Sequence, residues 1–224
     1  MFHSRVRPVI ITQHEHSRLA GIYASKWGNN KFDRPDLDFT AFVQAVTLHD
    51  WHYGLLDTLS IIGAPEADWL DITRHGVEYR FENPTVDLIT QLHLKRLLQL
   101  GDKITPPRQA LIDAVEARIA VRLRETGLPR AQYEWADKIT RFCDQLAFDF
   151  AFERPLTDTL PVYSRVNRAA ETDLTYKIMS SGEIRVWPWP FTPKSFGGLL
   201  VGFESHGYPD HLTPVVIPFH CAPG

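Results

Sequence analysis

Ala41–Gly54 reads AFVQAVTLHDWHYG. On a helix, His49 continues the face of Phe42 and Val46, and Asp50 continues that of Val43 and Val46. An apolar helix ending in an adjacent histidine and aspartate, both turned toward its buried side, has to bury an imidazole and a carboxylate. Such burial is tolerated when the two groups are paired or bind a cation. The stretch therefore predicts helices packed around a polar centre, with further polar partners on other apolar faces.

Helical spacing supplies those partners. His16 is followed on one face by Leu19, Ala20, Tyr23 and Trp27, whereas His14 aligns with Arg18, Gly21 and Ser25 and faces water. His93 continues the face of Val86 and Ile89 and precedes Leu97. Asp144 is followed by Ala147, Phe148 and Ala151, while Trp135, Ile139, Phe142 and Leu146 make the opposite side of the same helix apolar. Asp137, on the face of Asp144, is the rival for that last position. His52, Asp57 and His75 read as surface or supporting residues, Arg118, Arg122 and Arg124 as a solvated face, and Lys95 or Arg96 as groups that could face a phosphate. The economical arrangement is one cluster of His16, His49, Asp50, His93 and Asp144. Its mixed nitrogen and oxygen donors suit one or two divalent transition ions (Fe, Mn, Zn, Co or Ni), a pair being bridged by Asp50.

Working outward, Thr12-Gln13-His14-Glu15 is a capping-box pattern that opens a helix running to about Trp27. Further helices are expected from Leu37 to His52, from Pro84 to Gly101, from Pro106 to Gly127, and from Pro129 to just before Pro155. The loop from Leu55 to Phe81, with Gly63-Ala64-Pro65, follows the His-Asp pair and is placed to cover the site. Beyond residue 155 the pattern becomes extended: Leu174–Met179 and Glu183–Trp187 read as a hairpin about Ser180-Ser181-Gly182, and Val215–Ile217 as a last short strand. Trp187-Pro188-Trp189-Pro190-Phe191 cannot be helical and reads as a clamp between the two parts. The expectation is a mainly α fold. Residues 1–155 would form a helical metal-binding core, and 156–224 a small C-terminal β appendage packed on it.

Composition narrows the function classes. A chain of 224 residues, 44% hydrophobic, is long enough for one substantial core. A net charge of −3 provides no basic face for nucleic acid or an anionic membrane. Cys143 and Cys221 make no disulfide framework, and no run approaches the roughly 20 apolar residues of a membrane helix or the h-region of a signal peptide. A soluble cytoplasmic protein is expected, and aromatics near Trp187 permit a homodimer.

The order His16, His49-Asp50, Asp144 resembles the HD superfamily of metal-dependent phosphohydrolases, with His93 in the place of the extra histidine of two-metal members. More of the chain is similar to an uncharacterised bacterial family with HD-like motifs. Its Gln-x-x-His-x-x-Leu-Ala-Gly start is matched by Gln13 to Gly21. Cys143-Asp144-Gln145-Leu146 and Pro188-Trp189-Pro190-Phe191 match its later segments. That family usually continues His-Asp-x-Gly-Trp, whereas this chain reads His49-Asp50-Trp51-His52-Tyr53-Gly54. The resemblance implies an HD-domain-like helical bundle and a hydrolase of a phosphomonoester or nucleotide, with Asp50 and His93 as catalytic residues. Two alternatives stand beside it: a non-enzymatic, metal-stabilised interaction protein and an HD-type di-iron oxygenase.

Overall fold

The computed structural model describes residues 2–57, 65–101, 103–154, 156–165 and 171–224. Gly63, Ala64 and Pro155, which the sequence reading assigned to a covering loop and a helix end, lie outside them.

Among the described residues there are six α-helices, and three of them open on side-chain caps. In α1 (Gln13–Lys26) the Thr12 hydroxyl accepts from the Glu15 amide, in α2 (Phe39–Thr47) the Asp38 carboxylate accepts from Thr40 and Ala41, and in α4 (Pro84–Leu98) Asn83 plays the same part. The helix α5 (Pro106–Thr126) stops at Gly127, whose φ of 66° is left-handed. The last, α6 (Arg130–Phe152), is the longest. The sequence reading ran the second helix to His52. It ends instead at Thr47, and a 3-10 turn over Trp51–Leu56 follows the His49-Asp50 corner. One helix went unread: α3 (Glu66–Glu78) occupies about half of the supposed loop.

The remainder is a seven-stranded mixed sheet. Its strands are β1 (Phe2–His3), β2 (Val9–Ile11), β3 (Thr157–Tyr163), β4 (Glu171–Ile178), β5 (Glu183–Trp187), β6 (Phe196–Glu204) and β7 (Pro214–Pro223). Their order is β1-β2-β6-β7-β5-β4-β3, and only β5 and β7 run parallel. With about 49% of residues helical and 22% in strands, the sheet is a full, curled layer. This overturns the mainly α, HD-domain-like bundle with a small appendage. The reason lies in segments whose strand character is set by distant partners. β2 is only three residues long, all buried, and pairs with β6 almost two hundred residues away. β6 carries Gly197, Gly198 and Gly202, residues that add no strand propensity of their own. A Cβ at Gly202 would strike the side chains of Val9 and Ile11 and the Ile10 carbonyl, so the close approach of β2 requires glycine there.

The helices α1 and α6 lie on the sheet, α2 and α4 pack across them, and α5 and α3 pack outside α4. Phe191 carries the sheet into this core, meeting the Trp27 and Tyr23 rings of α1 at 6.1 and 6.5 Å between centroids. Where β2 stops, α1 takes over the β6 edge. Glu15 Oε1 accepts from the Val201 amide at 2.6 Å, and Arg18 donates to the Leu199 carbonyl at 2.6 Å. The crossing of α1 and α2 is close because Gly21 faces Thr47, with no room for a Cβ between them. No helix among the described residues is long and apolar enough to cross a membrane.

Arg118 and Arg122 form no solvated face. Both reach the fully buried carboxylate of Asp87 in the first turn of α4, and Arg122 is itself only 3% exposed. Arg118 also donates to the Val77 carbonyl and Arg122 to that of Phe81, while the Phe81 amide donates to Asp87. One carboxylate thus ties α4, α5 and the chain leaving α3. Removing it leaves Arg118 without a carboxylate partner and Arg122 with Glu125 alone. Asp87→Ala is expected to cost about 3–5 kcal/mol in chemical denaturation; a loss under about 1 kcal/mol would contradict this account.

Candidate metal centre

Four elements deliver five side chains to one point. His16 comes from the second turn of α1, His49 and Asp50 from the corner after α2, His93 from α4 and Asp144 from α6. The corner has a local cause. The His49 ring folds back so that Nδ1–H donates to the Val46 carbonyl at 2.7 Å, while the Leu48 amide is shared between the Gln44 and Ala45 carbonyls. The helix tightens and ends, and His49 Nε2 is turned toward the cluster. A second-sphere bond of this kind is what fixes the orientation of a ligating imidazole.

The donor atoms face each other at short range. His49 Nε2 is 3.1 Å from Asp144 Oδ1 and 3.7 Å from Asp50 Oδ2. His16 Nε2 stands 3.5 Å from each of the same two oxygens, and both His16 ring nitrogens are buried without a hydrogen-bond partner. Metal–ligand bonds of about 2.0–2.2 Å put tetrahedral edges at about 3.3–3.6 Å and octahedral edges at about 2.8–3.1 Å. Three of the four separations fall within those ranges and the His49–Asp50 distance lies just beyond them, so His16, His49 and Asp144, with Asp50 beside them, could hold one first-row divalent ion. The groups able to share an ion are His16, His49 and Asp144, and His49, Asp50 and His93.

His93 is held differently. Arg96 donates to its Nδ1 at 2.9 Å, so the proton of the neutral ring lies on Nε2, which is 2.7 Å from Asp50 Oδ1. His93 therefore donates to Asp50 and leaves Oδ2 facing His16 and His49. Burial lowers its pKa, in keeping with a neutral ring. Burial also works against charge at the neighbouring groups, and there it loses. Asp144 and Asp50 outweigh it at His49, whose pKa rises to about 9. The histidines outweigh it at both carboxylates, which are held well below the ordinary range. The two carboxylates thus favour a positive charge between them, a proton on His49 or a bound cation.

A cavity of about 550 Å³ opens over the cluster. Asp50, His93 and Asp144 lie in its lining, with Arg96 and Arg141 as cationic groups and Tyr53, Trp69 and Phe148 as aromatic walls. Asp137 sits 3.5 Å from Arg96 and is its partner. His14 is mostly exposed, and Asp57 instead accepts from the Gln13 backbone amide at the start of α1. His75 is exposed, whereas His52 is 1% exposed with no partner for either ring nitrogen, its pKa pushed down to about 3 by burial. Gln13, Arg141 and Gln145 escaped the sequence reading as site residues. The available signal was their spacing: Gln13 lies one helical turn before His16, and Arg141 one turn before Asp144.

Fold and site together define a helix-and-sheet protein with a buried His/Asp centre of the kind that holds a divalent ion. The chain belongs to the family described as protein of unknown function DUF3891, which matches residues 3–198. No curated protein and no solved structure matches it.

Behind the cavity wall, Gln145 donates to Asp149 at 2.9 Å, and the Tyr176 hydroxyl of β4 donates to the same carboxyl. Burial pushes Asp149 up to about 6 against both donors. A carboxyl whose folded pKa is raised contributes stability that is complete below its unfolded value of about 4 and lost as pH rises through about 6. Asp149→Asn, neutral throughout, should therefore gain stability relative to the wild type between about pH 4 and 7. Denaturation midpoints across that range test this, and a pH-independent difference would count against it.

Proposed function

We propose that the protein is a metal-dependent phosphohydrolase with an HD-like His…His-Asp…Asp centre, acting on a phosphomonoester or nucleotide. The observation supporting this best is the convergence of two imidazole nitrogens and two carboxylate oxygens, at metal-ligand edge lengths, beneath a cavity that carries two guanidinium groups. His16 Nε2, His49 Nε2, Asp50 Oδ2 and Asp144 Oδ1 would hold one divalent transition ion. When bound, such an ion polarises a phosphoryl oxygen and lowers the pKa of water beside it.

The protein's own groups supply the rest. His93 Nε2–H fixes the Asp50 carboxylate, and the His49 Nδ1–H bond to Val46 fixes that ring. Arg96, steadied by Asp137 and lying 3.6 Å from Asp144, offers its remaining N–H groups to phosphoryl oxygens. Arg141, exposed at the cavity wall, is a further cation for a substrate's charge. Tyr53, Trp69 and Phe148 give the alcohol portion an apolar surface and keep water from the reacting group. The two arginines favour phosphate over dioxygen as the ligand, and the open cavity favours a ligand site over a sealed structural ion.

Metal analysis by inductively coupled plasma mass spectrometry, on protein purified without a metal-binding tag, is expected to find near-stoichiometric Mn, Fe, Zn, Co or Ni. That ion should be lost in Asp50→Ala, whose far-ultraviolet circular dichroism stays that of the wild type. Against a panel of phosphate monoesters with each metal, Asp50→Ala should lower kcat/KM by roughly 100-fold or more; wild-type turnover in this variant would sink the reading. Arg96→Gln should weaken binding of inorganic phosphate by roughly tenfold at unchanged metal content.

A further inference from the structure

Among the described residues, the side chains of only three arginines, Arg5, Arg124 and Arg141, make no hydrogen bond, ion pair or ring contact, and of these only Arg141 lines the cavity. Its place in α6 makes that freedom informative. Asp137 lies one helical turn before it and Asp144 one turn after it, the spacing at which an arginine ordinarily pairs with an acid. Both carboxylates face Arg96 instead. Arg96 Nη2 is 3.5 Å from Asp137 Oδ1, and Nη1 is 3.6 Å from Asp144 Oδ2. Asp144 Oδ1 is turned to His16 and His49. Arg96 is thus bound into the wall beside the His/Asp centre, whereas Arg141, exposed and touching neither acid, stands further out. The cavity presents two guanidinium groups at different depths, the inner one balanced by carboxylates and the outer one not. Its volume of about 550 Å³ holds a whole small molecule, not a phosphoryl group alone.

We propose that Arg141 is a second anion subsite, and that the substrate is a phosphomonoester carrying another anionic group, a phosphate or a carboxylate, on the same short carbon skeleton. This rests on the phosphohydrolase reading above. The reacting phosphoryl group sits at the metal centre beside Arg96, and the second anion meets the planar fork of Arg141, which suits either group. One turn of α6, roughly 5 Å, separates the two levels, a distance that a short skeleton spans. Arg141 binds the end of the substrate that does not react; it selects against monoesters with a neutral tail and takes no part in cleaving the ester.

The test uses phosphonates, whose carbon–phosphorus bond keeps the readout to equilibrium binding. Metal-reconstituted wild type and Arg141→Gln are titrated calorimetrically with propylphosphonate, carboxyethylphosphonate and trimethylene diphosphonate. In the wild type, at least one of the two-ended ligands should bind roughly tenfold tighter than propylphosphonate. Which of them does so separates a carboxylate from a phosphate as the second group. In Arg141→Gln that preference should disappear at unchanged metal content. The proposal is overturned if the wild type shows no preference or if the preference survives in Arg141→Gln. It is also overturned if propylphosphonate weakens by the same factor as the two-ended ligands, since Arg141 would then serve the single phosphoryl group. Those three results leave the phosphohydrolase reading standing, whereas failure of the wild type to bind any of the phosphonates removes that reading and the proposal with it.

Discussion

Everything near the centre of this protein follows from burying two carboxylates. Asp50 and Asp144 are turned into the interior within reach of each other's neighbours, and an uncompensated pair of that kind would oppose folding. Three imidazoles and a guanidinium surround them, from helices widely separated in the chain. The helices cannot slide or rotate against one another without leaving a charge unpaired. The helix–helix geometry and the polar centre thus determine each other. A divalent cation at the same point would meet His16 Nε2, which stands 3.5 Å from both carboxylates without a hydrogen bond to either.

The sheet gives this arrangement its rigidity. It supports α1 and α6, which carry His16 and Asp144 at opposite sides of the centre, and it grips each by polar contacts as well as packing. Glu15 and Arg18 close the open edge of β6, and Tyr176 reaches from β4 to Asp149 on α6. A second buried charge knot, Asp87 with Arg118 and Arg122, sets the start of α4 and so the position of His93 further along it. A cavity can persist over the centre because its floor and walls are fixed by these independent ties.

The residues that gather at the centre were legible because each lies on an apolar helical face, and a period of 3.6 is readable from local sequence alone. Thr12, Pro84 and Gly127 marked helix limits for the same reason. Arg122 was not legible: by periodicity it belongs to a charged stripe, and only the proximity of Asp87, thirty-five positions earlier, takes it into the interior. α3 was hidden by a polar, acidic start that resembles loop sequence. The turn that ends α2 early depends on a side chain bonding its own backbone, at a place where the apolar pattern simply continues.

The sequence by itself determined the helices with strong periodicity, most of their limits, the β4–β5 hairpin and the inward direction of His16, His49, Asp50, His93 and Asp144, because these depend on contacts within a turn or two of the chain. Tertiary structure alone decided that β2 and β6 are strands, since a three-residue segment and a glycine-rich one gain strand character from their partners, β6 for β2 and chiefly β7 for β6. It also decided that Gln13 and Arg96 line one cavity with Asp50, His93 and Asp144. Which unmatched donor meets which unmatched acceptor is a property of the space between helices.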